Sequence, residues 1–375
     1  MARSRARSGP AFGHDVLWMV GFLVLLGGWL MIVASRFAES PVLRASDLVP
    51  LGALCVAWLC IRWVLATAGY QGDVIMVPLT LLLTGLGLLI QFRLGHLDFT
   101  DATRSSTYAY PLGLLMWGVT WAALRQGRYA KLAPLAIPAL LLAAAVLGAI
   151  LLFGERFRGA VYLAGQINPA ELVKPLLAVF LAGMMTEFGK PLRQTVAGIP
   201  APPLGPALGL SALWSIPMIL LILQRDLGMI ILLNVVLLVM VFMATGKWGY
   251  LALGALAAVA ASYVGFQLFA HARERFRAWQ DPFLDPTGGG WQILQSLSAM
   301  FSGGMWGSGL GSGNPTAVPI AASDFVYAAI AEELGFVGCA LLIAVYSILF
   351  HRGYRIADRI RSPFGQTLAA TLTTL

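Results

Sequence analysis

The chain has 375 residues, 59% hydrophobic and 11% charged, with a mean hydropathy of +0.80. A soluble domain carries about 25% charge, so the composition excludes an ordinary soluble protein and points to a polytopic membrane protein. The net charge of +8 comes without the contiguous basic face that nucleic acid would need, and it fits loops that gather Lys and Arg beside a membrane.

Apolar runs of about 20 residues match the ~30 Å hydrocarbon core. In chain order they predict spans at 16–34, 48–66, 74–91, 107–124, 132–153, 170–188, 208–223, 227–245, 250–270 and 325–350. The expected fold is therefore all-α: a transmembrane helical bundle of about ten complete spans and the start of an eleventh near Pro363, which is too short to cross. Arg3, Arg5 and Arg7 place the N-terminus in the cytoplasm. The short loops holding Arg125, Arg128, Lys131, Lys190, Arg193 and Lys247 then fall on the same side. The strongest inward anchor follows the tenth span, at Arg352, Arg355, Arg359 and Arg361. Cys55, Cys60 and Cys339 lie in apolar segments with neither zinc nor disulfide spacing. The four histidines are scattered, so a histidine metal site is not expected.

The longest polar interruption, 271–323, is read as one long external loop. It alternates turn punctuation with apolar anchors: Arg273, Arg275 and Arg277, Asp-Pro pairs at Asp281 and Asp285, a short amphipathic run from Trp291, and a glycine cluster from Gly303 to Gly313. Such a loop folds back onto the membrane rather than hanging free. Trp279, Trp291 and Trp306 read as interfacial anchors.

Ionisable groups within spans cost about 2.5–3.5 kcal/mol each on insertion scales. Glu171 and Lys174, spaced i, i+3, share a helix face. They either neutralise each other, or Lys174 faces an acid elsewhere, with Asp324 or Glu332 expected. Asp226 is either an N-cap or a site carboxylate, and Ser323 or Asp324 can cap the tenth span. Glu332 and Glu333, two turns deeper, need partners, for which Lys174 or the loop arginines are the natural candidates.

Four blocks in order resemble one family, the SEDS proteins (RodA, FtsW and SpoVE) of bacterial cell-wall synthesis. NPAELVK at 168–174 is similar to Q-P-S-E-x-x-K, and QRDLG at 224–228 to Q-P-D-L-G. WQILQS at 291–296 with SGGMWGSGLGSG at 302–313 is similar to G-Y-Q-x-x-Q-S and S-G-G-x-x-G-x-G-L-G. PIAASDFVYAAIAEELGFVG at 319–338 is similar to P-x-x-x-T-D-F-I-F-A-x-x-x-E-E-L-G. Asn168, Ala170 and Arg225 depart from the pattern. So do Val161 and Tyr162, which stand near the place of an expected Trp. The resemblance covers 74–375. It implies two parts: 1–72, a cytoplasmic tail with two extra spans, and 73–375, a core incomplete at its C-terminus.

The resemblance implies a peptidoglycan glycosyltransferase that polymerises lipid II at the bacterial cytoplasmic membrane. Asp324 matches the family's catalytic Asp. Lys174, Glu171, Asp226, Arg158, Arg275, Arg277, Gln292, Gln295, Glu332 and Glu333 are supporting or pyrophosphate-binding candidates. It leaves room for a divalent cation (Mg or Mn), for no organic cofactor, and for a class B penicillin-binding transpeptidase as partner. Two other readings compete. A lipid-precursor flippase would call for a broken or internally repeated helix pair, and the sequence shows neither. A non-catalytic scaffold for the transpeptidase would fit a truncated chain.

Overall fold

The structure is a computed structural model that describes residues 11–70, 72–95, 97, 105–157, 160–162, 170–196, 199–200, 202–268 and 270–375. The main helices are α1 (Ala11–Glu39), α2 (Ala45–Thr67), α3 (Met76–Arg93), α4 (Ser105–Leu124), α5 (Ala136–Phe153), α6 (Ala170–Leu192), α7 (Leu204–Gln224), α8 (Leu227–Thr245) and α9 (Trp248–Leu268). The long loop then carries α10 (Ala270–Gln280) and α11 (Trp291–Gly303), and the chain continues into α12 (Val326–Arg359) and α13 (Pro363–Thr374). Among the described residues, nine helices are long and apolar enough to cross a membrane, and α4 holds a shorter apolar stretch, Tyr110–Leu124. The fold is an all-helical membrane bundle, since in lipid a helix satisfies every backbone group within its own segment. Two short antiparallel hairpins, Glu155–Phe157 with Ala160–Tyr162 and Thr195–Val196 with Ile199–Pro200, sit between helices.

The chain divides into two units, 1–117 with 270–349 and 118–269 with 350–375. In the second, α6 is the central helix, packed by α5, α8 and α13. Its Val173, Leu177, Phe180 and Leu181 are fully buried, and Phe180 stacks on Trp214 of α7. A β-carbon at Gly183 would stand 2.4 Å from Ala136 Cβ, so glycine lets α5 and α6 approach closely. Gln224 of α7 is buried, and its Nε2 donates to Leu147 O of α5 at 2.8 Å.

In the first unit, α3 packs on both α1 and α2. Trp58 of α2 meets Trp18 of α1 edge to face and donates to its carbonyl. Gly28 of α1 lies against Leu89 of α3 and Leu310 of the loop. Arg36, in the last turn of α1, ion-pairs with Asp47 of α2 at 3.2 Å, donates to Phe92 O of α3 at 3.1 Å, and stacks over the Phe92 ring.

One feature runs against the sequence reading. The tenth span is broken at Gly335, where φ is 65° and ψ is −170°, a region open to little besides glycine. The two halves, 326–334 and 336–359, therefore leave backbone groups without intrahelical partners, and the glycine loop takes them. Ser308 N and Gly309 N donate to Glu332 O and Glu333 O, while Phe336 N and Val337 N donate to Gly304 O and Met305 O, all at 2.9–3.1 Å. Close approach explains the glycines. A β-carbon at Gly303 would stand 2.0 Å from Ala331 O, one at Gly307 2.2 Å from Glu333 O, and one at Gly335 2.2 Å from Gly307 N.

Candidate active site

The stitched break carries the acidic pair of the most specific motif. Glu333 is fully buried, and its Oε1 accepts from Arg93 Nε at 2.8 Å. A second nitrogen of the Arg93 guanidinium donates to Gly313 O at 2.6 Å. Glu332 Oε1 accepts from Asn314 N at 2.8 Å. The partner of Glu333 is thus an arginine at the end of α3, where Lys174 or the loop arginines had been expected. The predicted third span, 74–91, stops short of Arg93 and so leaves it outside the membrane helix, whereas α3 runs on to include it. The signal that could have found it is its place two residues past a predicted span, at a depth where a cation needs an anion.

Asp324 sits at the mouth of the same helix. The preceding turn closes on one oxygen: Ser323 N, Asp324 N and Phe325 N all approach Ile320 O at 3.1–3.3 Å. Ile320 has φ 56°, a left-handed conformation that a β-branched residue adopts only under constraint. Ala321 anchors the turn in a small buried cluster with Ala299 of α11 and Ala328 and Ala329 of α12, against Leu94. Gln91 Nε2 donates to Ala322 O at 2.7 Å. The Asp324 carboxylate itself is exposed and accepts a bond from Ser323 Oγ at 3.3 Å. The structure thus presents a solvated carboxylate on a constrained turn, with its neighbours held from three helices.

The other sequence candidates fall as follows. Gln292 and Gln295 lie on α11, exposed and half-buried, and Arg275 and Arg277 are exposed on α10. All four belong to the unit that contains Asp324. Trp279, Trp291 and Trp306 are exposed. Asp281 and Asp285 turn the chain by accepting from the amides of Phe283, Gly288 and Gly289. Glu171, Lys174 and Asp226 belong to the other unit. Lys174 Nζ lies 2.7 and 2.9 Å from the two Glu171 oxygens, so this pair neutralises itself. Asp226 caps α8 by accepting from Met229 N at 3.0 Å. Arg158 lies outside the described residues. Among the described residues no three His, Cys, Asp or Glu side chains gather as a metal cage.

The family model described as "cell cycle protein", which joins FtsW, RodA and SpoVE, matches residues 74–375. Peptidoglycan glycosyltransferase RodA of Mycobacterium bovis is 35% identical over 320 residues, covering 80% of this chain and 67% of its own length. The probable peptidoglycan glycosyltransferase FtsW of Geobacter sulfurreducens is 28% identical over 319 residues, covering 81% of this chain and 82% of its own. The crystal structure of the rod shape determining protein RodA of Thermus thermophilus matches with a TM-score of 0.52 at 22% identity, over 81% of each chain. A chain of a solved peptidoglycan synthase complex matches with a TM-score of 0.51 at 23% identity, over 98% of this chain and 83% of that one. At these identities the two structures speak for the fold. With the family match running over most of its length, from α3 to α13, this chain belongs to the FtsW/RodA/SpoVE family.

Proposed function

We propose that this membrane protein is a peptidoglycan glycosyltransferase that polymerises lipid II, with Asp324 as the general base. The observation that carries the base assignment is the Asp324 turn: an exposed carboxylate, unengaged by any cation among the described residues, on a segment whose backbone is held from α3, α11 and α12. In the reaction the acceptor hydroxyl oxygen bonds to the donor's anomeric carbon as the bond from that carbon to the pyrophosphate oxygen breaks. The hydroxyl proton passes to the carboxylate, and the lipid pyrophosphate leaves with the electron pair. A well-placed base contributes about 10²–10⁴-fold to such a step. Arg275 and Arg277, exposed in the same unit, can offset the leaving pyrophosphate.

Among the described residues no carboxylates gather as a cage, so a divalent cation would be held here mainly by waters and the substrate phosphates, as magnesium often is, leaving the Asp324 carboxylate free to take the proton. Bound there it would offset pyrophosphate charge. The match to a chain of a synthase complex supports a class B penicillin-binding transpeptidase as partner. Charge alternation supports the cytoplasmic membrane with the N-terminus inside and 271–323 outside. A cysteine placed at Thr287 is then labelled by an impermeant reagent from outside, and protection there overturns the orientation.

The test of the base is Asp324→Asn against Asp324→Ala in the full-length protein with its transpeptidase. Both should fold, and both should lose at least 10²-fold in glycan synthesis from lipid II. Near-wild-type synthesis by Asp324→Asn rules the base out.

A further inference from the structure

Gln91 stands near the end of α3, opposite the Asp324 turn. Its two amide atoms have opposite fates. Nε2 donates to Ala322 O at 2.7 Å, 231 positions away in the chain. Oε1 is buried with no hydrogen-bond partner among the described residues. An unsatisfied buried acceptor is a standing destabilisation, so an apolar residue of the same shape, which removes that acceptor while leaving Ala322 O without its donor, would hold the fold near its present stability. The bond it does make falls two residues before Asp324, on a turn that the left-handed Ile320 and the packing of Ala321 also constrain.

The end of α3 is itself immobilised. Arg93 ties it to Glu333 and Gly313. Arg36 of α1 holds Phe92 O and covers the Phe92 ring, while Asp47 of α2, almost fully buried, fixes Arg36. Ser35 Oγ of α1 donates to Gly311 O at 2.6 Å, so the glycine loop rests on the same helix. Gln91 is thus a rigidly mounted donor aimed at one carbonyl of the Asp324 turn. α1 and α2, which precede the family match at residue 74, supply part of its mount.

We propose that Gln91 is a positioning residue for Asp324: its amide holds the Ala322 carbonyl and so fixes where the carboxylate meets the acceptor hydroxyl. The proposal rests on the general-base reading of Asp324. Misplacing a reacting group by about 1 Å costs up to about a hundredfold, whereas substrate affinity does not depend on this bond.

The test uses the full-length protein with its transpeptidase, and measures kcat, KM for lipid II and Tm for Gln91→Met and Gln91→His. Methionine keeps the shape and removes both amide atoms. Histidine returns an N–H at comparable reach. The expected result for Gln91→Met is a kcat lower by about ten- to a hundredfold, with KM unchanged and Tm close to that of the wild type. Gln91→His should recover most of the kcat. Wild-type kcat in Gln91→Met overturns the proposal. So does a loss that follows a fall in Tm, that histidine does not rescue, or that comes with failure to fold, because each makes the residue structural. Asp324→Asn in the same assay separates the two claims. If it is inactive while Gln91→Met is normal, only the positioning claim falls. If it is near wild type, the base reading falls whatever Gln91 does.

Discussion

Two acid–base pairs in this chain show how differently the same chemistry can be used. Lys174 and Glu171 are three residues apart on one helix, with the carboxylate largely exposed. Arg93 and Glu333 are 240 positions apart, with the carboxylate fully buried. The first pair forms as soon as α6 is helical and constrains nothing beyond it. The second exists only when α3, the glycine loop and the broken α12 are all in place. Burial sets the energetics as well. An exposed pair is worth about 0–1 kcal/mol, while removing one partner of a buried pair costs about 3–5 kcal/mol, because a charge is stranded.

The sharpest way to break this contrast is at the break itself. Gly335→Ala places a methyl where Gly307 N lies and forbids the backbone angle. Strain and overpacking together predict a loss of about 2–6 kcal/mol, read as a large fall in Tm and in yield from detergent. Gly87→Ala, inside α3 where an added methyl meets no atom within 4 Å, should cost clearly less. Unchanged Tm in Gly335→Ala means that α12 is not broken there.

Next in size is Arg93→Ala, which strands Glu333 and should lose about 3–5 kcal/mol. Adding Glu333→Gln should restore a large part of that, and thermal melts of the double-mutant cycle measure the coupling. Additive losses mean that the two side chains do not meet. The smallest effect belongs to Lys174→Ala, at about 0–1 kcal/mol in stability. A large fall in activity with unchanged Tm in that variant shows that Lys174 serves the reaction and that its pairing with Glu171 is incidental.

The spans were legible because hydropathy is summed over about 20 residues and a lipid core tolerates few alternatives. α13 begins at Pro363 where the sequence placed it, since proline at the first helical position behind a serine cap is a local signal. Asp226 was equally legible as a cap, for the same reason. The break at Gly335 was not, because a hydropathy window records side chains and is blind to one residue's backbone angles. In sequence the glycine cluster reads as loose loop. Its purpose appears only against the carbonyls of Glu332 and Glu333, 20 or more positions later. The bond from Gln91 was invisible for the same reason: nothing local links it to Ala322. The Asp324 block could be read because its chemistry is concentrated in one stretch, while its support is drawn from α1, α2 and α3.

The 240-position reach from Arg93 to Glu333 also sets a timetable. A ribosome adds about 5–20 residues per second, so Glu333 is made about 12–48 s after Arg93. For that interval a permanent cation sits at the tip of a freshly inserted helix without its anion, and Gly313 O, 220 positions on, comes little sooner. The guanidinium can only reach for the headgroup layer on its apolar stem. The unit that holds Asp324 therefore cannot close until residue 333 has been made. A nascent chain stalled before residue 333 carries an open α3 tip, visible as protease or alkylation sensitivity that vanishes when synthesis resumes.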